Sequence, residues 1–304
     1  MRLTMLGTGT PGPSLERMSS GYLVEVGGDM IVFDHGPGAH HRLLESGRRA
    51  VDVTHCFFTH LHYDHCMDYG RLVMTRWDQG AGLIGELQVF GPPPLARMTD
   101  LLFGEDGVYG PDLEARTKHQ LSLDIYRARS GTGERLKPKP EVREIEAGSV
   151  VEGSAWRVTT GYSWHAQPYL SCLSYRIDGE GGSLCYAGDS GGVCPGVVEL
   201  ARGANVLITM NSFFTGTEKS EPYRKGVGSH LDNAVIARDA GVETLVLTHL
   251  SPQIDRPGFR ERIVREIGEI FDGNVILGAD LMALDVSPGG IGTIGPTHNR
   301  TETR

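Results

Sequence analysis

Short apolar runs alternate with a few helical repeats along the chain, and Gly and Pro separate them. Apolar runs of about four to eight residues predict strands, and apolar residues three or four positions apart predict helices. The predicted strands are Arg2–Leu6, Tyr22–Val26, Met30–Asp34, Val53–Thr59, Leu87–Phe90, Ala155–Thr160, Leu170–Ile177, Leu184–Ala187, Val206–Met210, Thr244–Thr248 and Val275–Leu277. Because these strands occur in groups with helices between them, the pattern predicts an α/β fold of layers with a mixed sheet.

Helical spacing is clearest in three segments: Ala39–Ser46, Leu231–Ala240 and Gly258–Phe271. The second of these follows Ser229, which can act as an N-cap because its hydroxyl can accept a bond from an unpaired backbone N–H group. Gly241 is expected to end the same helix, since Gly adopts the left-handed conformation that helix ends often need.

The segment Gly91–Gly148 has the weakest pattern. It begins with three Pro residues at 92–94 and later becomes locally basic. The basic side chains are Arg127, Arg129, Arg135, Lys137, Lys139 and Arg143. We expect one domain over residues 1–304, with this segment as an excursion that forms a lid or a dimer contact. A solvated loop is the alternative.

Composition narrows the class of protein. The net charge of −9 disfavours a broad nucleic-acid surface, which needs Lys and Arg to neutralise phosphates. No apolar stretch approaches the ~20 residues of a membrane span, and the first residues lack the apolar region of a secretory signal. We therefore expect a cytoplasmic protein with no membrane partner. Five scattered Cys without CxxC spacing argue against a disulfide framework.

Ligand-type side chains crowd the stretch FFTHLHYDHCMD at residues 57–68, directly after the predicted strand Val53–Thr59. Four of them lie within six residues: His60, His62, Asp64 and His65. Three more candidates each follow another predicted strand: His165, Asp189 and His249. Since strand ends can hold loops in a fixed arrangement, we expect these side chains to converge on a metal site.

The number and type of these side chains suit two ions. His60, His62 and His165 would bind one ion. Asp64, His65 and His249 would bind the other, and the two oxygens of Asp189 would bridge them. Each ion would keep a position for water, which is typical of a catalytic site. Nitrogen and carboxylate ligands suit Zn²⁺, and Mn²⁺ or Fe is compatible with them. Asp34, at the end of another strand, is a candidate for orienting a liganding imidazole.

Several stretches together resemble the metallo-β-lactamase superfamily and, within it, the ribonuclease Z-like branch. Besides His165, they are LGTGTPGP, IVFDHGPG, THLHYDH, AGDS and GSHLDNAVIARDAGVETLVLTHLSP. The resemblance implies a four-layer αββα sandwich, in which two mixed β-sheets are flanked by helices and carry a dinuclear site at one edge. It also implies the same seven ligands, and His230 as the catalytic residue that assists the leaving group.

The chain departs from that branch in three places. Only the 23 residues 166–188 separate His165 from Asp189, which leaves no room for a long tRNA-binding arm. Asn211 stands at or near the place of a Glu that would pair with His230, so we expect that carboxylate partner to be missing. Asp68 stands where the branch commonly has Gly. With the net charge, these departures disfavour tRNA processing.

The sequence therefore predicts a dinuclear zinc-dependent hydrolase that uses a metal-bridging hydroxide. Asp64 is expected to be catalytic by steering that hydroxide while it remains a ligand. The first expectation for the substrate is a small-molecule ester, lactone, lactam or similar activated bond, hydrolysed by a homodimer. The alternative is a phosphodiesterase or ribonuclease Z-like tRNA 3′-processing endonuclease, with residues 127–143 touching phosphates. A non-catalytic metal-binding module is the third class.

Overall fold

The computed structural model describes residues 1–288 and 290–294. Their strands, in chain order, are β1 (Arg2–Gly7), β2 (Gly21–Val26), β3 (Asp29–His35), β4 (His55–Phe57), β5 (Gln88–Gly91), β6 (Glu141–Glu144), β7 (Val150–Glu152), β8 (Trp156–Tyr162), β9 (Leu173–Gly179), β10 (Gly182–Tyr186), β11 (Val206–Met210), β12 (Thr244–Thr248), β13 (Asn274–Leu277), β14 (Ala283–Ser287) and β15 (Gly290–Ile294). The helices are α1 (Ala39–Glu45), α2 (Tyr63–Cys66), α3 (Tyr69–Gly80), α4 (Leu95–Phe103), α5 (Gly110–Lys118), α6 (Gln120–Ala128), α7 (Pro195–Ala201), α8 (Glu221–Gly226), α9 (His230–Ala240) and α10 (Phe259–Gly268).

The strands form two mixed sheets. Within the described residues, the first sheet has the order β15-β14-β1-β2-β3-β4-β5-β6 and the second has the order β13-β12-β11-β10-β9-β8-β7. The strands β3 to β6 are parallel to one another, as are β10 to β13, and the remaining neighbours are antiparallel. Because β8 and β10 both lie antiparallel to β9, the strands β8, β10, β11 and β12 end at the same edge of the second sheet.

Three apolar cores hold four layers together. The central core joins the inner faces of the two sheets, and Tyr22, Phe57 and Tyr175 are among its largest buried side chains. A second core lies between the second sheet and α7, α9 and α10, and a third lies between the first sheet and α1, α3 and α4. The layers are therefore helix, sheet, sheet and helix, and the predicted αββα fold is confirmed. No helix in the described part of the chain is long and apolar enough to cross a membrane.

Helix α9 confirms the expectation for its two ends. The Ser229 side chain accepts a hydrogen bond from the backbone N–H of Asp232, and Gly241 has a φ of 63°. Helix α1 is braced from another element, since the Asp68 carboxylate accepts from the backbone N–H groups of Gly38 and His40 at 2.9 and 3.2 Å. Asp68, which stands where the ribonuclease Z-like branch commonly has Gly, therefore has a structural role at the start of α1.

The segment 91–148 is more regular than expected, because it contains α4, α5, α6 and β6. Asp78 of α3 links this segment to the rest of the domain. It pairs with Arg116, Arg129 and Arg135 at 3.0, 2.6 and 2.7 Å. The guanidinium of Arg135 also lies over the Trp77 ring, 4.3 Å from its centroid. Some of the basic side chains in this segment therefore pair with a carboxylate of the protein itself. The role of the segment as a lid or contact remains a prediction.

Candidate metal centre

The seven predicted ligands meet at one edge of the sandwich. His60 and His62 follow β4, while Asp64 and His65 lie on the short helix α2. The others follow β8, β10 and β12, whose ends share an edge: His165, Asp189 and His249. The parallel course of the strands thus brings together side chains that are almost 190 residues apart in sequence.

Three imidazoles form the half of the cluster that faces solvent. Nε2 of His60 lies 2.8 Å from Nδ1 of His62, which lies 3.1 Å from Nε2 of His165. His60 is buried, whereas His62 and His165 are partly exposed. Nitrogen atoms this close around one point match the donor set of a metal ion bound by three histidines.

The other half of the cluster is buried. Nε2 of His249 lies 3.3 Å from Oδ2 of Asp64, and Nε2 of His65 lies 3.5 Å from the same oxygen. Asp189 touches both halves, since its oxygens lie 3.4 Å from His65 and His249 and 3.6 Å from His165. This position suits a carboxylate that bridges two ions.

The chemistry of the cluster favours a cation. Asp64 and Asp189 are 2% and 5% exposed, and burying a charge is costly unless an opposite charge lies close to it. Nε2 of His65 is buried without a hydrogen-bond partner in the described part of the chain. Burial acts to lower the pKa of His65, but Asp189 and Asp34 outweigh it and raise that pKa well above its ordinary value. The carboxylates therefore stabilise a positive charge at this point, and the residues present fit divalent metal ions.

Burial also prepares the imidazoles as ligands. Desolvation lowers the pKa of His60 well below its ordinary value, and the charge of His65 lowers it further. Desolvation followed by the charge of His165 lowers the pKa of His62. Both rings are therefore neutral near pH 7, and a neutral imidazole nitrogen is the form that binds a metal.

Asp34 orients one of the candidate ligands. It accepts hydrogen bonds from Nδ1 of His65 at 2.7 Å, from the Tyr186 hydroxyl at 2.8 Å, and from both the N–H and the hydroxyl of Thr59 at 2.8 Å. Since Nδ1 of His65 is held in this way, its Nε2 faces the cluster. The prediction that Asp34 orients a candidate ligand is confirmed.

A segment with no predicted role orients two more imidazoles. Nδ1 of His165 lies 2.6 Å from the Gly226 carbonyl oxygen, and Nδ1 of His249 lies 2.9 Å from the Ser212 hydroxyl. Residues 211–228, between β11 and α9, thus contact the centre at two points. Neither contact has a sequence signal, because a carbonyl and a hydroxyl carry no motif.

His230 lies in a different environment. Its ring is buried and stacks on Phe214, with the ring centroids 4.3 Å apart. Nδ1 accepts from the backbone N–H of Thr215 at 3.3 Å, so Nε2 carries the proton and donates to Glu266 at 2.9 Å. The expectation that its carboxylate partner is missing is therefore wrong, because α10 supplies Glu266. Asn211 is fully buried at the end of β11, and in the described part of the chain no protein group bonds to its carboxamide.

Comparisons with known proteins show the family to which the chain belongs. A family model described as the beta-lactamase superfamily domain matches residues 30–250. Ribonuclease Z from Mycobacterium marinum is 30% identical over 295 residues, which cover 94% of this chain and 99% of that protein. The metallo-β-lactamase fold protein YhfI from Bacillus subtilis superposes with a TM-score of 0.71 and 18% identity, covering 96% of this chain and 99% of that one. Human tRNase Z, short form, superposes with a TM-score of 0.66 and 20% identity, covering 94% and 99%.

These relatives correct one expectation. The prediction that the main partner is a small molecule, with nucleic acid disfavoured, is wrong. The curated relatives that match almost end to end are named ribonuclease Z. The net charge was a poor guide to nucleic-acid binding, because it averages over the whole surface. The absence of a long tRNA-binding arm was also a poor argument against RNA. The relative aligns over 295 residues, almost its full length, so it cannot carry a long insertion that this chain lacks. The chain is a hydrolase of the metallo-β-lactamase superfamily and belongs to its ribonuclease Z-like branch.

Proposed function

We propose that this protein is a two-metal phosphodiesterase that cleaves RNA, as a ribonuclease Z-like endonuclease at the 3′ side of tRNA precursors. The relatives named ribonuclease Z support the substrate class. The single observation that carries the chemistry is the convergence of five imidazoles and two carboxylates at one sheet edge.

In this proposal each half of the cluster holds one ion. His60, His62 and His165 would hold one ion, Asp64, His65 and His249 would hold the other, and Asp189 lies close enough to both groups to serve either. We propose zinc, because nitrogen-rich sites without thiolates bind it well, and Mn²⁺ or Fe fits the same donors. When bound, such a pair supplies Lewis acidity, which makes water more acidic and offsets charge on a phosphoryl oxygen.

The protein's own groups prepare the reaction. The carboxylate of Asp64 lies in the buried half and can accept a hydrogen bond from the attacking water, which orients that water towards the phosphate. Asp34, Ser212 and the Gly226 carbonyl hold three imidazoles in place, so little reorganisation is needed when the substrate binds. The partly exposed side at His62 and His165 is where the substrate phosphate can enter.

The test is cleavage of a tRNA precursor with a 3′ extension by purified, zinc-loaded protein. We expect one cleavage near the end of the acceptor stem, and loss of activity on chelation. Asp64→Asn should lower kcat by more than about 100-fold, since even groups that only orient a ligand typically contribute 10- to 100-fold. Asp124→Asn is the matched control, because Asp124 lies exposed on α6 and, within the described residues, pairs with the exposed side chains of Gln120 and Arg127. Failure of the wild type to cleave any RNA, or full activity in Asp64→Asn, would overturn the proposal.

A further inference from the structure

A cavity of about 530 Å³ opens beside the metal centre. One wall comes from the turn between β6 and β7, and the other comes from the loop between β8 and β9 that carries His165. Residues that line it include Glu144, Glu146, Ser149, Tyr162, Gln167 and Ser171.

The cavity shares its wall with the centre. The side-chain oxygen of Gln167 accepts from the backbone N–H of His165 at 2.9 Å. The backbone N–H of Leu173, which also lines the cavity, donates to the carbonyl of Thr59, the residue before His60. The cavity wall is therefore hydrogen-bonded to the two backbone segments that carry His165 and His60.

The cavity wall is held in place before any ligand binds. The Gln167 amide donates to the Ser163 carbonyl at 2.7 Å, and the Ser163 hydroxyl donates to the Ala187 carbonyl at 2.8 Å. Tyr162 is the last residue of β8, directly before this loop, and is 42% exposed. A flat aromatic side chain at the end of a strand can stack on a nucleobase, and such stacking does not require a particular base.

The charge of the wall decides which part of a nucleotide fits. Glu144 and Glu146 line the cavity, and no Lys or Arg is among the lining residues. A phosphate would be repelled here, whereas the amino groups of a base would be attracted. Glu144 already accepts from the backbone N–H of Ala96, but no hydrogen bond to the carboxylate of Glu146 is found within the described residues.

We propose that this cavity binds one unpaired nucleobase beside the cleaved phosphate, which rests on the proposed RNA substrate. The base stacks on Tyr162 and donates hydrogen bonds to the Glu146 carboxylate. Guanine fits best, because its neighbouring N1–H and N2–H₂ groups match the two oxygens of a carboxylate. Cytosine and adenine offer one amino group each, and uracil offers none.

The test uses one tRNA precursor in which the unpaired nucleotides flanking the cleavage site are guanine, inosine, uracil or abasic in turn. At one of these positions we expect wild type to cleave the guanine substrate with a KM about 10-fold lower than the abasic one. Inosine, which lacks the N2 amino group, should lie between guanine and uracil. Tyr162→Ala should cleave guanine and abasic substrates alike, and Tyr162→Phe should restore the difference because it keeps the ring.

Glu146→Gln should remove the preference for guanine over uracil but keep the preference for any base over the abasic site. Glu152→Gln, an exposed carboxylate on the neighbouring strand β7, is the matched control and should behave as wild type. Equal cleavage of all four substrates by wild type would overturn the base site and leave the RNA activity standing. No cleavage of any RNA would overturn both.

Discussion

Two neighbouring histidines on α1 have opposite environments. His40 is 1% exposed and its Nδ1 has no hydrogen-bond partner in the described part of the chain, whereas the side chain of His41 is 61% exposed. Burial lowers the pKa of His40 to about 4, and the charges of Arg71 and His41 add to the effect. His40 is therefore neutral in the folded protein at pH 5.

This difference predicts how stability depends on pH. The folded pKa of His40 lies below the ordinary value of 6.5, so the unfolded chain binds the proton first as the pH falls. The stabilisation is complete above pH 6.5 and is lost as the pH falls towards 4. When the pH falls from 7 to 5, the free energy of unfolding should decrease in both proteins. The decrease should be about 1 to 2 kcal/mol smaller in His40→Asn than in wild type. Urea unfolding of the chelator-treated protein at several pH values measures this.

His41→Asn is the matched control and should follow the pH dependence of wild type. If His40→Asn lost as much stability as wild type over the same pH range, His40 would not be held neutral by burial.

At the scale of single residues, the sequence identifies clusters of metal-ligating side chains. The alternation at 60–65 and the position of Asp34 after a strand were enough to predict candidate ligands and their orienting group. Sequence could not separate His40 from His41, because adjacent positions on a short helix differ only in the face that each presents to the core. Nor could it find Ser212 or Glu266, which contact the site residues only after distant elements pack.

Among the elements, the contact of α9 with α10 bears on the role of His230. The ring is buried and both nitrogens are bonded, to Thr215 and to Glu266, while Arg262 pairs with Glu266 and lies over Phe214. These contacts tie the segment 211–228, which orients His165 and His249, to the helices behind it. The geometry therefore favours positioning by His230 over the predicted donation of a proton to the leaving group.

Two substrates distinguish these roles. Bis-p-nitrophenyl phosphate has a leaving group that needs no proton, whereas the RNA leaving group needs one. If His230 positions the segment, His230→Gln should lower kcat/KM by a similar factor of about 10 on both substrates. The loss should be accompanied by weaker metal binding in a chelator competition. A loss confined to RNA, with unchanged metal affinity, would instead establish His230 as the acid.

Prediction of elements succeeded where local chemistry was sufficient. The ends of α9 follow from Ser229 and Gly241, which act within one turn. Helices α5 and α6 were missed, and each buries only one side chain, Leu113 and Tyr126, so neither is fixed mainly by packing on the core. The ion pairs with Asp78 hold these helices, and such pairs leave no periodic signal in the sequence.

For the molecule as a whole, the order of the strands creates the site. Parallel strands of the second sheet bring Asp189 and His249 to the edge where β4 and α2 deliver the histidine cluster. The net charge of −9 says little about this edge, because the charge is spread over the whole surface. The scaffold and the convergence of the candidate ligands were therefore predictable, whereas the relatives named ribonuclease Z became evident only from comparison with known proteins.

The most direct test of the central claim is anomalous diffraction at the zinc edge from crystals of the zinc-loaded protein. We expect two peaks in each chain, with ligand atoms at about 2.0–2.2 Å. One peak should lie among His60, His62 and His165, the other among Asp64, His65 and His249, and Asp189 should contact both. A single peak, no peak, or peaks away from these side chains would contradict it.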